Sequence, residues 1–124
     1  MDKEKIILFA EPENATSVAL YPLLTEKGHN LIVAKTLKET LLTLQDQRVD
    51  ALVLDAALLK EDCGFISVIK GIEKDLPIII CAESNTPELE SKIRKQKIFY
   101  YHIKSFGIED LEMAVSNAVN GLAL

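Results

Sequence analysis

Five short apolar segments are the feature that most restricts how this chain can fold. They occupy residues 5–10, 30–35, 51–55, 77–81 and 98–103, and each gap between them leaves room for one helix. Apolar strands that alternate with helices are typical of a parallel sheet that helices cover on both faces. Joined by right-handed crossovers, these units predict an α/β, doubly wound sheet of five parallel strands with five helices.

The segments between the strands carry signals for helix boundaries. Thr36 and Glu39 have the spacing of a capping box, and Thr86 before Pro87 predicts a hydroxyl cap followed by a proline at the first helical position. Asn14 is the predicted cap of the first helix. The predicted inward faces are Phe65, Val68, Ile69 and Ile72 in the third helix, and Ile108, Leu111, Val115, Ala118 and Leu122 in the fifth.

The length, composition and charge of the chain argue against several classes of protein. The 124 residues suit one domain covering 1–124, with 48% apolar residues for a core. A net charge of −5 argues against direct nucleic-acid binding, because such proteins usually cluster Lys and Arg. No segment reaches the roughly 20 apolar residues of a membrane helix, and the apolar run at 6–10 is too short for a signal peptide. We therefore expect a cytoplasmic protein without a membrane partner.

The two cysteines do not suggest a disulfide scaffold or a zinc site. Cys63 and Cys81 form no CxxC pair, and the chain has only two histidines. We expect both to be free, buried thiols.

Charged side chains follow three of the predicted strands. Glu11, with Glu13 just beyond, follows the first strand, Asp55 ends the third, and Lys104 follows the fifth. At this chain length the common arrangement is the flavodoxin-like strand order 2-1-3-4-5, in which sites form at the carboxyl ends of strands 1 and 3. Glu11 and Asp55 should therefore share a crevice that Lys104 enters from the side. A divalent cation such as Mg²⁺, together with the lysine, would relieve the repulsion between the two carboxylates.

Four segments resemble the receiver domains of bacterial response regulators. KIILFAEPEN (5–14) is similar to the family's first strand and acidic loop, and VDALVLD (49–55) to the strand that ends in the phosphorylated aspartate. DLPIIICA (75–82) is similar to the fourth strand, and YHIK (101–104) to the strand that carries a switch aromatic and an essential lysine. The resemblance covers almost the whole chain.

The resemblance implies a phosphoryl-transfer site. Asp55 would be the nucleophile and phosphoacceptor, and Lys104 would pair with a phosphoryl oxygen. Mg²⁺ would be held by Glu11, Asp55 and the backbone carbonyl of Ala57, with Glu13 as a further candidate ligand.

The resemblance also implies an output surface. Cys81 occupies the position of the switch hydroxyl and Tyr101 that of the switch aromatic. Their movement would repack the surface formed by helix 4, strand 5 and helix 5, which a downstream protein of unknown identity would read. The expected phosphodonor is a histidine kinase or a phosphotransfer protein, and a homodimer through the same surface is possible in this family.

Three residues depart from the family pattern. Ala10 replaces one of a pair of acids, which should weaken Mg²⁺ binding. Cys81 replaces a hydroxyl with a weaker donor. Ser105 replaces the proline that usually follows the lysine, so a cis peptide is not expected there.

Three hypotheses therefore remain open. The first is a receiver domain that is phosphorylated on Asp55 and is not itself an enzyme. The second is a phosphorylation-independent pseudo-receiver that acts as a protein-interaction module. The third is a small flavodoxin-like catalyst or cofactor binder, although the chain has no GxGxxG motif and no P-loop.

Overall fold

The computed structural model describes residues 4–60, 63–84 and 86–122. Within them, strands alternate with helices along the whole chain, and the elements in order are β1 (Ile6–Ala10), α1 (Ala15–Glu26), β2 (Asn30–Ala34), α2 (Leu37–Asp46), β3 (Ala51–Asp55), α3 (Gly64–Ile72), β4 (Ile78–Ala82), α4 (Pro87–Arg94), β5 (Tyr100–Ile103) and α5 (Glu109–Val119). Short 3₁₀ turns at Ala56–Leu58 and Lys104–Phe106 follow β3 and β5.

The five strands form one parallel sheet in the order β2-β1-β3-β4-β5. This confirms the predicted flavodoxin-like fold class and strand order. In this order β3 lies in the centre of the sheet, and its last residue, Asp55, pairs in register with Cys81 of β4. The carboxyl ends of β1, β3 and β5 all lie at one edge of the sheet, where the predicted site is expected.

Helices cover both faces of the sheet because the strands are apolar on both sides. One core cluster lies beneath α2, α3 and α4, and its members include Leu8, Leu44, Leu54, Ile66, Ile69, Ile80 and Ile93. The other lies beneath α1 and α5, and its members include Phe9, Leu20, Leu24, Val53, Ile79, Leu111 and Val115. No helix in the described part of the chain is long and apolar enough to cross a membrane.

The predicted inward faces of α3 and α5 need correction at their margins. Val68 of α3 is 50% exposed, whereas Ile66, which the prediction omitted, is fully buried. Consecutive helical residues are about 100° apart, so Val68 lies roughly opposite Ile66 on the helix. Ile108 and Leu122 are also exposed, because Ile108 precedes the first residue of α5 and Leu122 lies beyond its last.

The three predicted caps differ in outcome. Thr36 caps α2 as expected, since its hydroxyl accepts the N–H of Glu39 at 3.1 Å. The Glu39 carboxylate in turn accepts the N–H of Lys35 at 2.6 Å. Asn14 and Thr86 do occupy the N-cap positions of α1 and α4, and Pro87 begins α4. The predicted side-chain caps are wrong, because neither side chain makes a capping hydrogen bond.

The threonines at the N-cap positions of α2 and α4 provide a matched test of helix capping. We expect Thr36→Ala to lower the free energy of unfolding by about 1 kcal/mol, because it removes an N-terminal side-chain hydrogen bond. Thr86→Ala should have a clearly smaller effect, because no such bond is lost. Urea unfolding followed by circular dichroism measures both, and equal losses for the two variants would contradict the assignment of the caps.

Candidate functional site

An ion pair joins Asp55 and Lys104 at the carboxyl edge of the sheet. The Nζ of Lys104 donates to Oδ2 of Asp55 at 2.7 Å, across the end of the intervening strand β4. The Asp55 side chain is 9% exposed and that of Lys104 is 25% exposed. The predicted proximity of these two residues is therefore confirmed, while their chemical roles remain predictions.

The second oxygen of the Asp55 carboxylate is also hydrogen-bonded. Its Oδ1 accepts the backbone N–H of Ala57 at 2.9 Å, within the 3₁₀ turn that follows β3. This bond orients the carboxylate at the very end of the strand. The resemblance implied a role for the carbonyl of Ala57, whereas the contact seen here is made by its amide.

The environment of Lys104 favours its charged form. Burial alone would lower the pKa of Lys104, but the hydrogen bond and the negative charge of Asp55 together outweigh it, so the net direction is upward. Glu83 adds a weaker contribution, with its Oε1 at 3.6 Å from Nζ. Since the Glu83 side chain is 83% exposed, this second contact adds little stability.

Cys81 lies beside the ion pair, and its surroundings favour the protonated thiol. The residue is 2% exposed and pairs with Asp55 across the β3–β4 ladder. Burial raises the pKa of its thiol from 9.0 to about 12, and the charge of Asp55 acts in the same direction. A thiol that stays protonated is a poor nucleophile, so Cys81 gives no support to the catalyst hypothesis.

Glu11 faces helix α1. The residue is 3% exposed, its Oε1 accepts the N–H of Thr16 at 3.1 Å, and its Oε2 accepts the N–H of Ser17 at 3.0 Å. Its own N–H donates to the carbonyl of Ala34 at 2.9 Å. Glu11 thus caps the first turn of α1, in place of the predicted cap Asn14.

The predicted Mg²⁺ ligands do not form a cation site in this arrangement. Both carboxylate oxygens of Glu11 are bound by helix N–H groups, and Glu13 is exposed to solvent. Across residues 4–60, 63–84 and 86–122, no group of three or more His, Cys, Asp or Glu side chains could hold a metal ion. Mg²⁺ is usually held by one or two carboxylates with waters completing its octahedron. Here both oxygens of Glu11 accept helix N–H groups, and those of Asp55 are bound by Lys104 and Ala57.

Tyr101, the predicted switch aromatic, is buried beneath a charged pair on α4. The residue is 5% exposed, and the guanidinium of Arg94 lies 5.5 Å from the centre of its ring. Arg94 is held by Glu90 one turn earlier, with Nε at 2.6 Å from Oε2. Burial, followed by the charge of Glu90, raises the pKa of the Tyr101 phenol. The i,i+4 spacing of Glu90 and Arg94 is visible in the sequence, but their contact with Tyr101 is not.

Comparisons with other proteins identify the fold. No protein-family model and no curated protein sequence matches the chain. Among solved structures, a response regulator from Thermotoga maritima superposes with a TM-score of 0.84 at 19% identity, covering 95% of this chain and 99% of that one. A response regulator receiver domain protein from Methanospirillum hungatei superposes with a TM-score of 0.82 at 16% identity, covering 96% of each chain.

A third structural neighbour was solved in a modified state. This response regulator protein from Burkholderia pseudomallei contains a phosphorylated aspartic acid, a calcium ion and citrate. It superposes with a TM-score of 0.78 at 17% identity, covering 95% of this chain and 71% of that one. At such identities the likeness concerns architecture, and the chain has the fold of response regulator receiver domains.

Proposed function

We propose that this chain is a receiver domain in two-component signal transduction and that Asp55 accepts a phosphoryl group. The observation that carries the proposal is the 2.7 Å contact between Lys104 Nζ and Asp55 Oδ2 at the carboxyl edge of the sheet. A carboxylate nucleophile needs a nearby fixed cation when a phosphoryl group is transferred to it, because the transferred oxygens carry negative charge. The receiver fold of the structural neighbours supports the same assignment.

The transfer would start from a phosphohistidine on a histidine kinase or a phosphotransfer protein. One oxygen of the Asp55 carboxylate attacks phosphorus and forms the new P–O bond. The P–N bond of the donor breaks, its electron pair goes to the imidazole nitrogen, and that nitrogen takes up a proton. The product is an aspartyl phosphate at the end of β3.

Lys104 is placed to act throughout this step. Its ammonium already donates to Asp55, so a short movement brings it to an oxygen of the incoming phosphoryl group. A charge-assisted hydrogen bond of this kind is stronger when it forms in a partly buried site. Because Lys104 is a quarter exposed, the pair can be reached from solvent.

Exposed apolar side chains near this edge offer a surface for the donor protein. Phe106, two residues after Lys104, is 71% exposed. Val18, one residue after the Glu11-bound Ser17 of α1, is 64% exposed. In the proposed function these two side chains are candidates for contact with the donor protein.

Phosphorylation should be specific to Asp55. We expect incubation with acetyl phosphate or phosphoramidate to add one phosphoryl group to the wild type, and Asp55→Asn to abolish the addition because the amide is not a nucleophile. Asp46→Asn, which changes an exposed carboxylate at the end of α2, is the matched control and should be modified normally. Intact-protein mass spectrometry, with hydroxylamine to confirm the acyl phosphate, measures the result.

A failure of this experiment would be informative. If the wild type and Asp46→Asn both remain unmodified, including with a histidine kinase as donor, the proposed phosphoacceptor role is refuted. If Asp55→Asn is modified as much as the wild type, another residue accepts the group.

A second candidate function is a phosphorylation-independent interaction module, and the state of Tyr101 favours it. The Tyr101 ring is buried, and the guanidinium of Arg94 lies over it. Cys81, at the position expected to link the two, is buried and carries a weakly donating thiol. In this candidate the surface formed by α4, β5 and α5 is set by the contact between Arg94 and Tyr101 and not by Asp55.

The two candidates differ in what controls the environment of Tyr101. We expect Arg94→Ala to shift the ¹⁹F resonance of a fluorotyrosine at position 101, because it removes the cation above the ring. Under the second candidate, treatment of the wild type with acetyl phosphate should leave that resonance unchanged. Lys95→Ala, an exposed neighbour on the same helix end, is the control for Arg94→Ala. A shift on addition of acetyl phosphate that Asp55→Asn abolishes would favour the phosphorylation-dependent receiver instead.

A further inference from the structure

The acidic loop after β1 is used for helix capping. Both oxygens of the Glu11 carboxylate bind backbone N–H groups of the first turn of α1, at 3.1 Å from Thr16 and 3.0 Å from Ser17. Only 3% of the residue is exposed, so few water molecules could take over these hydrogen bonds. If the carboxylate left this position, two N–H donors at the positive end of the helix would have no acceptor.

Asn14 does not share this capping role. Asn14, at the capping position by sequence, makes no capping hydrogen bond, and the first turn of α1 contains no acidic residue. The N–H of Glu11 is bound to the carbonyl of Ala34 in β2, which fixes the backbone from which the carboxylate extends. Glu11 is therefore held at both ends, by the sheet and by the helix.

We propose that Glu11 is a positioning residue that fixes the start of α1, and that the Asp55 site consequently works without a bound divalent cation. The side chain of Ala10 has no oxygen that could bind a cation, and Glu13 is exposed. Both carboxylate oxygens of Glu11 accept hydrogen bonds from α1. The positive charge at the site comes from Lys104, which already contacts Asp55. This inference deepens the proposed function, and its part about Glu11 stands independently of whether Asp55 is phosphorylated.

Stability measured with and without Mg²⁺ separates a cap from a ligand. For the full chain in urea we expect the unfolding midpoint to be the same in millimolar Mg²⁺ and in EDTA at matched ionic strength. Glu11→Ala should raise the unfolding equilibrium constant about tenfold in both conditions, which corresponds to the loss of a good N-terminal cap. Glu13→Ala, a matched change at an exposed carboxylate two residues away, should leave the constant unchanged.

The opposite result has a clear signature. A Mg²⁺ ligand at Glu11 would make the wild type more stable in Mg²⁺ than in EDTA, and Glu11→Ala would remove that difference; this result would overturn the proposal. If Glu11→Ala does not fold, Glu11→Gln, which keeps one acceptor oxygen, replaces it. A titration of the wild type with MgCl₂, followed through the amide resonances of Ala57, Thr16 and Ser17, gives an independent readout. If the shifts of these resonances saturate as a specific site fills, the inference is also refuted.

Phosphorylation of the wild-type protein with and without Mg²⁺ distinguishes this inference from the proposed function. Acetyl phosphate is added in Mg²⁺ and in EDTA, and modification of Asp55 is followed by mass. Equal modification in both conditions supports both proposals. Modification only in Mg²⁺ refutes the cation-independent site and leaves the phosphoacceptor role intact. No modification in either condition, with acetyl phosphate and also with a histidine kinase as donor, refutes the phosphoacceptor role, and the stability measurements then decide the role of Glu11.

Discussion

The ion pair between Asp55 and Lys104 is the interaction on which the site depends. It joins the ends of β3 and β5 across β4, at 2.7 Å, and it places an acid and a fixed cation where the parallel strands end. A buried carboxylate without such a partner would be costly, because the sheet around it is apolar. The hydrogen bond from Ala57 uses the remaining oxygen, so both sides of the carboxylate are satisfied before any ligand arrives.

The two carboxylates expected to share the crevice have different tasks. Asp55 faces Lys104, whereas Glu11 faces the first turn of α1. Their repulsion is relieved locally, by an ammonium in one case and by helix N–H groups in the other. Each carboxylate near the carboxyl edge of the sheet therefore has its own local partners.

Much of the fold follows from the sequence, and the site follows in part. The runs that form β1 to β5 are apolar because both faces of each strand are buried, so their pattern alone indicates a parallel, helix-covered sheet. The inward helix faces follow less completely: Val68, in the middle of α3, and Ile108 and Leu122, which flank α5, are apolar but exposed. At the ends of a short helix the periodicity of apolar residues is weak. Whether an apolar residue there points inward depends on the residue at which the helix begins or ends.

The sequence by itself determined the strand alternation, the order of units, and the placement of Asp55 and Lys104 at strand ends that must meet at one edge. These features depend on local polarity and on the regular geometry of βα units. Only the tertiary structure decided that Glu11 caps α1 and that Arg94 lies over Tyr101. Both contacts depend on distances of a few ångströms between elements, since a carboxylate binds whichever donors the packing of β1 against α1 brings within reach.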